Sequence, residues 1–197
     1  MKKLEIVLVI TIVIGIIGNL FLIEYSNHVF MIGCTVLATL YFYLSFVFFN
    51  DISVRKMFKK SSYKGVTAKR IIGTIGIGQT LSIIIIGFQF KFLLLPGAHE
   101  MLIIGVESLM VISIIAGFIF IKRYKGQSEF YSRIFKRTIP AIIVGALFYW
   151  LPTDSLIDIK YRDRPVYSEL LKQSIKDPNN EQLRQELEQE REKYLTE

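Results

Sequence analysis

The chain has 197 residues, of which 52% are hydrophobic, with a mean hydropathy of +0.43 and a net charge of +7. A single cysteine, Cys34, excludes an internal disulfide framework and a cysteine-based metal cluster, and two histidines leave little for a metal site, so we expect neither metal nor cofactor. Residues 1–152 carry 16 Lys and Arg against six Asp and Glu, whereas residues 153–197 carry eight against 11. Because the basic excess flanks apolar runs, it indicates membrane topology and not binding of nucleic acid.

Long apolar runs dominate the first 152 residues. The hydrocarbon core of a bilayer is about 30 Å thick, so a helix that crosses it needs about 20 apolar residues, a length that soluble cores do not require. The sequence therefore predicts an all-α, polytopic transmembrane bundle. We expect about five spans, at about Leu4–Ile23, Val29–Phe49, Ile71–Phe90, Met101–Ile121 and Thr138–Leu151. The first run is too long for a cleaved signal and no A-x-A site follows it, so we expect it to be retained.

The fifth run, Thr138–Leu151, is shorter than the others and decides on which side the tail lies. Pro140 is in its first turn, where proline is tolerated. An aromatic run that ends at Trp150 and is followed by Pro152 is typical of an exit at a second interface. We favour a complete span. The alternative is a re-entrant segment, which would keep the tail on the side of the amino terminus.

Basic residues predict the orientation of the bundle. Fifteen of its 16 Lys and Arg lie at the amino terminus and in segments 51–70 and 122–137, and the alternate loops offer only Lys91. The positive-inside rule then places the amino terminus and both basic segments in the cytoplasm and the tail outside it. The composition fits a bacterial cytoplasmic (inner) membrane. We also expect the two basic segments to contact anionic lipids, partly through short amphipathic surface helices at 51–57 and 129–135.

Small residues separated by three positions predict close helix packing, since helices in lipid associate through such pairs. The pairs are Thr74/Gly78, Gly76/Thr80, Ser113/Gly117 and Ala141/Gly145. They indicate that spans three, four and five approach one another closely.

Glu107 is the most informative polar residue in the apolar runs. It lies six positions into the fourth run, about 10 Å below the boundary at 1.5 Å per residue. An ionisable group at that depth is a functional candidate. The same arithmetic places other polar residues nearby, and together they predict a polar layer in the outer half of the membrane: Asn19, Thr35, Thr39, Gln79 and Ser82. Glu107 either holds helices together as a hydrogen-bonded acid or couples a proton or cation in a transporter or channel component.

Residues 153–197 are polar and predict an amphipathic helical hairpin. The first helix carries a stripe of Leu170, Leu171 and Ile175, and the second carries Leu183 and Leu187. The intervening Asp-Pro-Asn-Asn sequence at 177–180 ends one helix and caps the next. This junction resembles one helix–turn–helix junction of the tetratricopeptide repeat, which implies two packed helices. The stripes predict a partner-docking element, and a solvated extension is the alternative.

No Ser/His/Asp or Cys/His spacing in the chain indicates nucleophilic catalysis. The predicted function is therefore a non-catalytic integral membrane subunit or scaffold of a larger complex, with the tail as its docking arm. Its predicted partners are other membrane-protein subunits or a second copy of the chain. The alternative is a small proton- or ion-coupled transporter or channel component that uses Glu107.

Overall fold

The computed structural model describes residues 2–122 and 128–196, so residues 123–127 of the predicted basic segment 122–137 and Glu197 lie outside it. Within the described residues the chain forms eight α-helices and no strand. They are α1 (Lys2–Leu20), α2 (Ser26–Phe49), α3 (Ala68–Phe92), α4 (Ala98–Lys122), α5 (Ser128–Trp150), α6 (Thr153–Lys160), α7 (Pro165–Lys176) and α8 (Glu181–Thr196). The predicted surface helix at 51–57 is wrong, because this loop contains only two short 3-10 turns, Val54–Lys56 and Lys60–Tyr63.

Four helices, α1 to α4, are long and apolar enough to cross a membrane, and there are five if α5 and α6, which meet at 92°, form one bent span. By length and composition the chain is a multi-pass membrane protein, as predicted. The fifth helix differs from the prediction, since α5 begins at Ser128 and has 23 residues, about 35 Å. Phe130 and Ile134 are 8% and 2% exposed. Because this face is buried against the bundle, α5 already includes residues 129–135. The predicted separate surface helix at 129–135 is therefore wrong.

The helices pack in chain order, and α5 returns to contact α3, so α3 lies against α2, α4 and α5. We call the end where α1, α3 and α5 begin the basic end, and the other the opposite end. Close approach depends on glycines: a Cβ on Gly78 would lie 2.1 Å from the Cβ of Ser45 on α2, and one on Gly145 would lie 2.7 Å from Val106 on α4. Spans three to five do approach closely, but Gly78 contacts α2, and a Cβ on Gly76 would meet nothing within 4 Å.

The opposite end of the bundle is covered by α6. Ile157 is fully buried, and the Lys160 Nζ donates to the Phe92 carbonyl oxygen at 3.2 Å. The Arg162 Nη2 donates to the Leu20 carbonyl oxygen at 2.8 Å. These two bonds satisfy carbonyl groups that the last turns of α3 and α1 leave without helical partners. The tail therefore begins as part of the bundle and not as a separate linker.

The remaining tail helices pack in sequence, α7 on α6 and α8 on α7. Asp158 on α6 accepts a hydrogen bond from Ser168 at 3.0 Å and pairs with Lys172 at 2.5 Å. A second pair, Lys176 with Asp154 at 3.1 Å, also joins α7 to α6.

Two glycines of α3 provide a test of the α2–α3 packing, with Gly78 at the contact and Gly76 as the control. Gly78→Ala places a methyl group against Ser45 and the Tyr41 carbonyl oxygen, which is 2.4 Å from the added Cβ. We expect a loss of about 1–3 kcal/mol in the free energy of unfolding in detergent. Gly76→Ala adds the same methyl group in open space and raises helix propensity, so it should be neutral or stabilising by up to about 1 kcal/mol. Equal effects of the two substitutions would contradict the described α2–α3 packing.

Candidate functional site

Glu107 lies on the outer surface of α4. It is nine residues from the start of that helix, about 14 Å along its axis, and its side chain is exposed. Its neighbours on the same face are also exposed and entirely apolar: Ile104 (56%), Met110 (41%), Val111 (55%) and Ile114 (58%). Among the described residues no hydrogen bond or ion pair joins Glu107 to another side chain. The site is thus a carboxylate among apolar side chains, and the next acid on this face, Glu100, lies two turns away in the first turn of α4.

The other residues of the predicted polar layer do not bond to Glu107. Asn19 is buried and donates to the Gly15 carbonyl oxygen at 2.9 Å, within its own helix. Thr39 is exposed and donates to the carbonyl oxygen of Thr35 at 2.8 Å, also within its helix. Ser82 is buried, whereas Gln79 is exposed. The Thr35 hydroxyl donates to Gln89 Oε1 on α3 at 3.3 Å, but no described hydrogen bond links two side chains of the predicted layer to each other.

A buried ion pair at the basic end was not anticipated from the sequence. Arg137 on α5 binds Glu5 on α1 with two hydrogen bonds, Nε to Oε1 at 2.7 Å and Nη2 to Oε2 at 2.6 Å. The Tyr41 hydroxyl on α2 also donates to Oε1. The two charged side chains are only 11% and 14% exposed. Arg137, expected to extend towards the headgroups, instead turns inward and joins three helices.

Further contacts inside the bundle fix the position of the Glu5–Arg137 pair. The Arg137 guanidinium also donates to the Arg133 carbonyl oxygen at 3.1 Å and lies 5.4 Å from the centre of the Phe49 ring. Both carboxylate oxygens of Glu5 accept hydrogen bonds from the guanidinium. The pair therefore neutralises two charges inside the bundle and links α1 to α5. Sequence alone gives one signal for it: Glu5 is the single acid at the start of the first apolar run, and Arg137 directly precedes the fifth.

A second group of ion pairs surrounds Arg133, whose side chain is 17% exposed. It lies 3.5 Å from Asp51, in the loop after α2, and 3.7 Å from Glu129, one turn earlier on α5. The pair with Asp51 ties the loop after α2 to α5, whereas the pair with Glu129 lies within α5.

The histidines lie near the opposite end and do not converge. His99 stacks on Tyr149 with the ring centres 4.3 Å apart, and His28 lies 6.0 Å from Tyr25. Across residues 2–122 and 128–196, no three His, Cys, Asp or Glu side chains are grouped so that they could hold a metal ion.

The predicted docking residues of the tail are mostly shielded. Leu170, Leu171, Leu183 and Leu187 are half-buried, and Ile175 is 45% exposed. The docking role remains a prediction.

Comparison of the chain with protein families, with curated proteins and with solved structures finds no match.

For the Glu5–Arg137 pair we expect the effects of single substitutions on the free energy of unfolding not to add in the double variant. Arg137→Met leaves Glu5 buried without its partner and should cost about 3–5 kcal/mol in the free energy of unfolding in detergent. Glu5→Leu should cost a similar amount, because it strands the guanidinium. The double variant removes both charges and should recover most of the loss. Losses that simply add in the double variant would show that the two side chains do not depend on each other.

Proposed function

We propose that this chain is a non-catalytic integral membrane subunit or scaffold of a larger membrane complex. The observation that carries the proposal is Glu107, a carboxylate without a partner among the described residues, on the open apolar face of α4. In a single chain surrounded by lipid, that face would hold an ionisable group against hydrocarbon. A transmembrane helix of another subunit, or of a second copy, removes this exposure by covering the face.

The energetic argument rests on the position of Glu107 along α4. A charged group deep in a bilayer costs on the order of 3 kcal/mol or more if it has no partner. Long Lys and Arg side chains near helix ends avoid this cost by extending their charged groups to the interface. The shorter side chain of Glu107, about 14 Å from the helix end, cannot reach that far. A hydrogen-bond donor on a neighbouring helix would satisfy it, and such bonds are known to hold membrane helices together.

The tail supplies a second surface in the proposal. On α7 the face that carries Ile175 is partly open, since Ile175 is 45% exposed although α7 packs against both α6 and α8. We propose that this face docks a partner close to the opposite end of the bundle. The ion pairs Asp158–Lys172 and Asp154–Lys176 would hold α7 in a fixed position for that contact.

For orientation we propose a bacterial cytoplasmic membrane, with the amino terminus and the basic end in the cytoplasm and the tail outside it. The distribution of Lys and Arg supports this orientation. The bonds from Lys160 and Arg162 to the last turns of α3 and α1 put the tail at the opposite end.

The alternative is a proton- or ion-coupled transporter or channel component in which Glu107 carries the charge. The same exposure favours it, because a carboxylate at a subunit boundary is able to exchange a proton with a neighbouring subunit. The two proposals differ in what a glutamine at this position would do: an amide keeps the hydrogen bond but cannot carry a proton.

Substitution at Glu107 tests the scaffold proposal. The mass of the complex extracted from native membranes in mild detergent should exceed the 22.8 kDa of one chain. Glu107→Leu should reduce it to the chain alone, because the interhelical bond is lost, whereas Glu107→Gln should retain the complex. Glu100→Gln is the matched control, since Glu100 is exposed on the same face two turns nearer the helix start, and it should have no effect.

Two outcomes would contradict the scaffold proposal. One is a wild-type mass of 22.8 kDa or a complex that survives Glu107→Leu unchanged. The other is a Glu107→Gln variant that assembles fully but loses proton- or ion-dependent flux in reconstituted vesicles, which would favour the transporter alternative.

A further inference from the structure

A groove of about 560 Å³ opens at the basic end between the start of α3, the end of α4 and the start of α5. This volume is within the range of ordinary ligand pockets. Its inner wall is apolar and tightly packed: Ile77, Ala116 and Ile134 are 3%, 8% and 2% exposed. Gly73 also lines it, and a Cβ on that glycine would meet nothing within 4 Å. The groove is therefore open space beside an apolar wall.

The rim of the groove is basic. Lys69, Arg70 and Lys122 line it, and none of its described lining residues is acidic. The groove thus combines a cationic mouth with an apolar interior, a distribution suited to an amphiphile with a negative head.

Arg70 is the residue that most clearly lacks an anion. Its guanidinium carbon lies 3.8 Å from the centre of the Phe130 ring, and its Nε is buried without a hydrogen-bond partner. No described carboxylate pairs with it, and residues 123–127 add none, since their sequence is Arg-Tyr-Lys-Gly-Gln. The two arginines on α5 differ in this respect, because Arg137 binds Glu5 and Arg133 pairs with Asp51 and Glu129.

We propose that this groove binds one anionic phospholipid, with its phosphate at Arg70 between Lys69 and Lys122 and an acyl chain against Ile77, Ala116 and Ile134. Stacking on Phe130 fixes the plane of the guanidinium and leaves its terminal nitrogens for the phosphate oxygens, the geometry in which arginine binds phosphate most strongly. The groove lies at the helix ends, at the level of the headgroups if α3 to α5 cross the bilayer. This site does not depend on the α4 face that carries Glu107.

The test uses the purified full chain, stripped of lipid in detergent, and measures binding by native mass spectrometry. Phosphatidylglycerol should bind as a single retained lipid, and zwitterionic phosphatidylcholine should bind at least about tenfold more weakly. Arg70→Gln should weaken binding of phosphatidylglycerol about tenfold or more, the loss expected for a hydrogen bond to a charged group. Arg55→Gln removes the same charge from an exposed position at the basic end, outside the lining of the groove, and should change affinity by less than about twofold.

A second pair of variants tests the apolar part and remains informative if Arg70→Gln does not fold. Gly73→Phe fills the groove and leaves the basic rim intact, so it should abolish retention of phosphatidylglycerol. Gly76→Phe places the same side chain in open space outside the groove lining and should retain it.

Three results would overturn the proposal. Equal binding of the two lipids would show a nonspecific apolar surface, and equal losses in Arg70→Gln and Arg55→Gln would show diffuse attraction between charges. Inorganic phosphate that competes with phosphatidylglycerol at equal concentration would show a phosphate site in which the acyl chains have no part.

Discussion

The absence of water from the hydrocarbon interior is the constraint on which this structure depends, since every charge placed there must find its partner in protein or at an interface. The chain meets it in two places. At the basic end Glu5 and Arg137 neutralise each other through two hydrogen bonds. At the opposite end Lys160 and Arg162 bind the last carbonyl groups of α3 and α1. Glu107 has no such partner in the described part of the chain.

These contacts also explain how a bundle packed mainly between consecutive helices closes on itself. Gly78 brings α3 onto Ser45 of α2, and Gly145 brings α5 onto α4, so backbones approach where side chains would prevent it. The Glu5–Arg137 pair then links the first helix to the fifth across 132 positions of sequence. Beyond these internal contacts, we propose that external partners bind at the outer face of α4, at the exposed face of α7 and in the groove beside Arg70.

Hydropathy predicted the four long spans to within a few residues, because the length and apolarity of a run are properties of the sequence itself. The orientation of each helix about its axis was not predictable in the same way. The fourth run is apolar on every side, so its sequence does not indicate which side faces the bundle, or that Glu107 lies on the outer side. The pairing of Glu5 with Arg137 depends on which helices become neighbours, and the early start of α5 depends on burial of Phe130 and Ile134 against the bundle. Both are properties of the packed fold.

Position-specific photo-crosslinking in native membranes tests the central claim, that the outer face of α4 is covered by protein. A photoreactive side chain replaces Met110, one turn from Glu107, and in a control replaces Ile14, an exposed residue of α1. The account predicts a protein adduct of one defined mass at position 110, its loss when Glu107→Leu is added, and lipid adducts alone at position 14. Lipid adducts alone at both positions would show that lipid covers the α4 face and would contradict the account.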